Sequence, residues 1–180
     1  MLSSIVAVTL VVADPDAVAR AYVDTLEYRA VERGQVSESV ASTWATPLLA
    51  GRPFVLVQPR SGEPVYLRLV KGKSTVRPAL RTLGWNATEI LVEDPPALER
   101  RLADSRFRVI GPPAPLEMNP AVVAMQALGV AGDHQFFVGG NRPYLHAAVG
   151  GAHLGFALGR LVRGRVERDR DVFARPVAGL

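Results

Sequence analysis

The feature that most constrains the fold of this chain is a segment that occurs twice, eighty residues apart, without a gap. The first copy is Ala7–Val18 and the second is Ala87–Leu98. In each copy an alternating apolar stretch predicts a strand, and an Asp-Pro pair with apolar residues at helical spacing then predicts a helix. Two copies are too few for a solenoid. The repeat therefore predicts a pseudo-symmetric domain with a cleft between its halves.

The same order of elements continues after each copy of the repeat. Module one, residues 5–71, and module two, residues 85–138, each read as strand, helix and three strands. In module one the predicted elements are strand Ile5–Ala13, helix Pro15–Leu26, and strands Tyr28–Ser39, Phe54–Val57 and Val65–Val70, with Val40–Trp44 leading to a turn. In module two the helix is predicted to end near Ala103, and the later strands are Phe107–Ile110, Ala121–Leu128 and Gln135–Val138. Ala121–Leu128 also has some helical character, and Pro115–Pro120 reads as irregular. The predicted class is α+β.

Composition limits the kinds of protein that this chain can be. An apolar share of 48% in 180 residues is enough for one packed domain, predicted over residues 1–138, followed by an extension over 139–180. Because the chain has no Cys, it has no disulfide, thiolate metal site or Cys nucleophile. No basic region precedes the first apolar run, and no run is long enough to span a bilayer. We therefore expect a cytoplasmic protein without a membrane partner.

The net charge of +4 is located in the C-terminal extension. From Gly139 onward the chain has seven Arg and three acidic residues, and the preceding part is balanced. A neutral body argues against a nucleic-acid partner. The extension is predicted to be a loosely packed tail, with a dimer arm or a lid as the alternatives. Ala152–Val162 has a weak helical pattern there.

The repeated segments and two further stretches carry a resemblance to a known superfamily. The segments are Ala7–Asp14, Ala87–Asp94, Phe107–Pro113 and Ala124–Gly132. Together they resemble the vicinal oxygen chelate superfamily, which includes glyoxalase I, bleomycin-resistance proteins and extradiol dioxygenases. The resemblance covers about Ile5 to Val138. It implies two βαβββ modules, glyoxalase-like, whose mixed sheets curve around a shared cup.

The resemblance also points to four positions where metal-dependent members hold an ion. These members place a His on the first strand of each module and a Glu on the last strand of a module. The matching positions here are Ala7 and Ala87 on the first strands, with Tyr66 and Phe136 four residues after the turn glycines Gly62 and Gly132. A divalent ion needs about three or four N, O or S donors. We therefore expect no metal and no cofactor.

Glu89 is the strongest candidate for chemistry, because its strand parity points it into the cup beside Ala87. The matching residue of module one is Thr9. A carboxylate on an apolar wall has a raised pKa and can act as a general base. The alternatives are an ion pair with Arg68 or a ligand contact, and Arg68 either closes that pair or binds a carboxylate or phosphate.

Aromatic residues predict a lining for a planar ligand, with core packing as the alternative for each of them. They are Trp44, Tyr66, Trp85 and Phe136. His134 is expected to be a surface or hydrogen-bonded residue, and a role as ligand or base is the other interpretation. His146 and His153 lie in the extension and could supply a metal site only by folding back.

Three functions fit these residues. The first is a protein that binds a small organic molecule in the cup without metal, like the resistance proteins. The second is a metal-independent lyase or isomerase with Glu89 as general base, helped by Arg68 or Tyr66. The third is a structural dimerisation module whose cup is filled by its own side chains. Whether the chain is an enzyme, and whether it forms a homodimer, stays open at this point.

Overall fold

A computed structural model gives the fold of residues 6–73 and 87–140. Two modules with the same order of elements are present in these ranges. Module one consists of β1 (Ala7–Val12), α1 (Pro15–Leu26), β2 (Tyr28–Gln35), α2 (Glu38–Thr43), a 3-10 helix (Pro47–Leu49), β3 (Pro53–Pro59) and β4 (Tyr66–Lys71). Module two consists of β5 (Thr88–Leu91), α3 (Pro95–Ala103), β6 (Arg108–Leu116), β7 (Asn119–Leu128) and β8 (His134–Gly140).

Each module forms a four-stranded mixed sheet with the same topology. The strand orders are β1-β4-β3-β2 and β5-β8-β7-β6. In both sheets the first and last strands of the module pair in parallel, and the other neighbours are antiparallel. Both second strands also carry a bulge at the same place, between Ala30 and Glu32 and between Val109 and Gly111. The predicted α+β fold of two βαβββ modules is confirmed.

Helices α1 and α3 begin where the repeated Asp-Pro pair predicts. The backbone N–H of Ala17 donates to Asp14 Oδ1 (2.9 Å), and the N–H of Ala97 donates to Asp94 Oδ1 (3.0 Å). A proline follows each Asp as the first helical residue, where the lack of an N–H costs no hydrogen bond. The predicted bounds of α1, and the predicted end of α3 near Ala103, agree with the structure.

The main core lies between the helices and the sheets and is shared by both modules. On β1, Val8, Leu10 and Val12 pack into it, as their alternation predicts. Tyr22 of α1 contacts Phe107 of module two edge-on, with ring centroids 5.5 Å apart. The two modules are therefore joined by packed side chains.

The segment after β2 differs from its prediction as a continuous strand to Ser39. Strand β2 ends at Gln35, and α2 follows because Ser37 Oγ accepts the backbone N–H of Val40 as a helix cap (3.2 Å). The apolar residues of this segment form a second, smaller core cluster against the sheet. Tertiary burial, which a local pattern does not show, selects the helix.

Module two differs from its prediction at three strand ends. Strand β6 runs on to Leu116 through prolines, which an edge strand tolerates because its outer N–H groups need no partner. The stretch predicted as irregular is a hairpin, and β7 is a strand without helical turns. Strand β8 extends to Gly140, two residues beyond the predicted boundary at Val138.

Several predictions lie outside the described residues. They concern Trp85, His146, His153, the helix at Ala152–Val162 and the extension from residue 141 onward. Within residues 6–73 and 87–140, no helix has the length and apolar character needed to cross a membrane.

Candidate functional site

The side chains that point away from α1 and α3 form the face of each sheet that we call helix-free, because neither α1 nor α3 lies on it; in module one the short helix α2 packs there. Alternate residues of a strand face opposite sides, so the register identifies which residues share this face. The central row of module one runs across four strands as Thr9, Arg68, Leu56 and Glu32. The equivalent central row of module two is Glu89, Phe136, Gln126 and Gly111. These two rows contain most of the residues that the sequence predicts for the cup.

The observed strand pairing corrects one equivalence between the modules. Counting from the turn glycines makes Phe136 the counterpart of Tyr66. Strand β1 pairs Thr9 with Arg68, whereas β5 pairs Glu89 with Phe136. Phe136 is therefore the counterpart of Arg68, and the counterpart of Tyr66 is His134. Counting from the turn glycines fails because Gly62 lies farther along the chain from Arg68 than Gly132 does from Phe136.

Glu89 is half-buried in the central row of module two. Among the described residues it makes no hydrogen bond and no ion pair, so the predicted pair with Arg68 is not formed there. Burial raises the pKa of Glu89 to about 7, and no neighbouring cation opposes this. A raised pKa is expected for a carboxyl beside Phe136 on a largely apolar surface, because burial disfavours the charged form.

Arg68 is the most deeply buried cation of the helix-free faces, with a relative exposure of 8%. Its guanidinium carbon lies 5.2 Å from the ring centroid of Trp44 and 5.7 Å from that of Phe54. Trp44 reaches this position because α2 and the 3-10 helix pack on the same side of the sheet as Phe54. Burial lowers the pKa of Arg68, and the negative charge of Glu32 partly opposes that effect.

His134 is buried and hydrogen-bonded, as one of the two interpretations of the sequence expects. Its Nε2 lies 3.0 Å from Gln126 Oε1, the residue that occupies the central row beside Phe136. Of the four metal positions that the resemblance implies, Ala7, Tyr66 and Ala87 stay unchanged, and the register replaces Phe136 by His134. Among the described residues no three His, Cys, Asp or Glu side chains gather into a cluster that would hold an ion. The donor set of this face therefore does not fit a divalent metal.

The other predicted site residues within the described ranges lie in the two central rows or next to them. Thr9 is the direct register partner of Arg68, and Tyr66 pairs with Ala7 one step along the same strands. Phe136 stands beside Glu89, and Trp44 contacts Arg68. Sequence reasoning missed Phe54, Gln126 and Glu32. Only the pairing of residues across neighbouring strands places these three residues at the site, and a single sequence does not reveal that pairing.

A separate cleft of about 360 Å³ lies beside the start of α1. It is lined by charged residues of both signs, among them Asp14, Asp16, Arg33 and Lys71. Arg33 forms an exposed ion pair with Asp16 (3.4 Å). Because its guanidinium already has a carboxylate partner, this cleft is a weaker candidate than the helix-free faces.

Comparison with solved structures identifies the fold. A glyoxalase family protein from Bacillus cereus superposes with a TM-score of 0.61 at 16% identity, covering 78% of this chain and 95% of its own. A glyoxylase/bleomycin resistance protein/dioxygenase domain from Frankia sp. EAN1pec gives 0.59 at 20% identity, covering 78% and 100%. Glyoxalase I from Zea mays gives 0.55 at 12%, with 75% of this chain and 44% of the maize chain covered.

The chain has the glyoxalase-like fold of these structures, two βαβββ modules that each form a four-stranded mixed sheet. The fold expected from the sequence resemblance is thereby confirmed. No protein-family model matches the sequence, and no curated protein sequence matches it. Function must therefore be argued from the residues of the cup.

Proposed function

We propose that this chain binds a small organic molecule in the cup between the two helix-free faces, without a metal ion. The observation that carries the proposal is the placement of Glu89 in a central row without a protein partner among the described residues. A half-buried polar group is costly unless something hydrogen-bonds to it. A ligand with a donor group supplies that partner.

The surroundings of Glu89 support a ligand of mixed polarity. Phe136 offers an apolar surface beside the carboxyl, and the amide of Gln126 follows in the same row. Sites of this kind, mostly apolar with a few convergent polar groups, are typical for small organic ligands. The proposal excludes a metal because Ala7 and Ala87 have no donor atoms and the other positions do not complete a ligand set.

A second function, metal-independent lyase or isomerase chemistry, is favoured by the pKa of Glu89 near 7. A general base is most effective when its pKa lies close to the working pH. In this role the carboxylate of Glu89 accepts a proton from the bound molecule, and Arg68 or Tyr66 assists from the opposite module. The cytoplasmic setting and the homodimer stay predictions of the sequence.

The test is a binding screen of small organic molecules against metal-stripped protein, followed by ligand-detected NMR and calorimetry. Hits are compared between the native chain, Glu89→Gln and the control Glu117→Gln, which removes an exposed carboxylate on the hairpin of module two. We expect hits whose affinity changes at least about 10-fold in Glu89→Gln and not in the control.

The outcomes separate the three functions. Binding without turnover supports a binding protein, and turnover that Glu89→Gln abolishes while binding persists supports the enzyme. A screen without hits contradicts both and leaves the structural module, in which α2 and the side chains of the sheets fill the cup. Hits that depend on added Zn²⁺ or Mn²⁺ contradict metal independence.

A further inference from the structure

The guanidinium of Arg68 is held in place but has no hydrogen-bond acceptor among the described residues. Trp44 and Phe54 lie on it at 5.2 and 5.7 Å, a cation–π arrangement that fixes the side chain. Yet none of its N–H groups donates to any residue in the ranges 6–73 and 87–140. A guanidinium has five N–H donors. The described part of the chain uses none of these five donors, so it leaves them to a ligand.

Glu32, the carboxylate on the same row, does not satisfy these donors. Leu56 of β3 stands between the two residues in the register. Two strand spacings separate Glu32 from Arg68, about 10 Å between their backbones. No ion pair within 4.0 Å joins the two side chains, so the carboxylate acts on Arg68 through its charge from a greater distance.

The unpaired state of Arg68 is unusual for a cation that is more than nine-tenths buried. A buried charge without a hydrogen-bonded partner is costly. Some side-chain nitrogen and oxygen atoms of the described residues are shielded from solvent and have no hydrogen-bond partner. None of these atoms belongs to Arg68. The unpaired donors of Arg68 are therefore not completely sealed from solvent.

A second free donor stands next to Arg68. Thr9 on β1 is its direct register partner, and its hydroxyl makes no hydrogen bond among the described residues. Directly opposed residues of neighbouring strands have Cβ atoms about 5 Å apart. The hydroxyl and the guanidinium can thus approach one anionic group together.

We infer that Arg68 and Thr9 form a carboxylate-binding subsite, and that the ligand of the cup is an organic acid with an aromatic or otherwise flat apolar body. The fork of a guanidinium matches the two oxygens of a carboxylate, and Trp44 provides a flat surface beside it. This inference rests on the proposed function, because it names the class of ligand for the same cup.

The test uses matched pairs that differ only in charge, namely benzoate with benzamide and 2-naphthoate with 2-naphthamide. Binding to the native chain is measured by calorimetry and by ligand-detected NMR. We expect the acid to bind at least about 10-fold more tightly than its amide, the discrimination typical of a charge-assisted hydrogen bond.

Three variants locate the effect. Arg68→Gln is expected to remove the preference for the acid, and Arg68→Lys to keep part of it, because the charge remains but the fork is lost. Thr9→Val leaves the buried cation in place, so it is informative even if Arg68→Gln does not fold, and we expect about a 3- to 10-fold loss for the acid. The control Arg20→Gln removes the same charge from an exposed position of α1 and is expected to change nothing.

The outcomes distinguish this inference from the proposed function. If acids and amides bind the native chain equally, or if the preference survives in Arg68→Gln and Thr9→Val, the subsite is refuted while the cup still binds. If Arg20→Gln lowers the preference as much, the effect is general charge attraction, which also refutes the subsite. If none of the four compounds binds and the wider screen has no hits, the proposed function fails with it.

Discussion

Tyr22 of module one donates a hydrogen bond of 3.1 Å to Asp133 of module two, 111 residues away in the chain. Tyr22 is fully buried in α1, and Asp133 lies directly before β8. Gln135 also donates to the same carboxylate oxygen. This contact connects the helix of one module to the strand that carries His134 and Phe136 in the other.

Replacement of Tyr22 by Phe is expected to lower the free energy of unfolding by about 1 to 3 kcal/mol, because it leaves a carboxylate with one donor fewer in the core. Urea denaturation followed by fluorescence measures the change. Tyr28→Phe is the matched control, since Tyr28 is also buried but its hydroxyl has no hydrogen bond among the described residues. An equal loss in both variants would show that the hydrogen bond to Asp133 has no special weight.

The pKa of Glu89 predicts a pH dependence of stability. Because the pKa rises from 4.5 to about 7 on folding, the unfolded chain loses this proton first as the pH increases. Stability from this group is therefore complete below about pH 4.5, falls up to about pH 7 and then levels off. For a half-buried group we expect a total effect of about 1 to 2 kcal/mol.

The measurement is the difference in unfolding free energy between the native chain and Glu89→Gln from pH 4 to 8. The advantage of the variant should grow with pH and then reach a plateau. Glu117→Gln, an exposed change in the same module, should give a flat difference. A flat difference for Glu89→Gln as well would mean that the carboxyl is fully solvated.

Local chemistry accounts for the parts of the fold that the sequence predicts. Asp14 and Asp94 cap their helices through contacts within three residues, so a short window is enough to place α1 and the start of α3. A short window does not predict the aromatic surroundings of Arg68, because Trp44 contacts Arg68 only after α2 has packed on the sheet. The equivalence of Tyr66 with His134 likewise depends on strand pairing, which counting along the chain does not reproduce.

Divalent metal ions are expected to leave the protein unchanged. After any purification tag is removed, metal analysis should find no stoichiometric ion, and Zn²⁺, Ni²⁺, Mn²⁺ or a chelator should not shift the melting temperature. The reason is that Ala7 and Ala87, where the sequence resemblance predicts metal-binding histidines, have no donor atom in their side chains. If a bound ion stabilises the native chain but not His134→Ala, this expectation is wrong. His134, the counterpart of Tyr66, would then be a metal ligand.

Ala45, two residues after the end of α2, offers a way to stabilise the segment that holds Trp44. Its φ of +53° lies in the left-handed region, which costs a residue with a Cβ atom roughly 1 kcal/mol or more. Since Ala45 is exposed, Ala45→Gly loses little packing, and we expect a gain in unfolding free energy of about 0.5 to 1 kcal/mol.

Ser42→Gly is the matched control, because Ser42 is an exposed residue inside α2, where glycine is a poor helix former. We expect it to destabilise the chain by about 0.5 kcal/mol. If Ala45→Gly stabilises the protein and also tightens carboxylate binding, the ordering of α2 over Arg68 limits the affinity. If it stabilises without any change in binding, Trp44 is already in place before the ligand arrives, and if it destabilises, the left-handed backbone at Ala45 is not the conformation in solution.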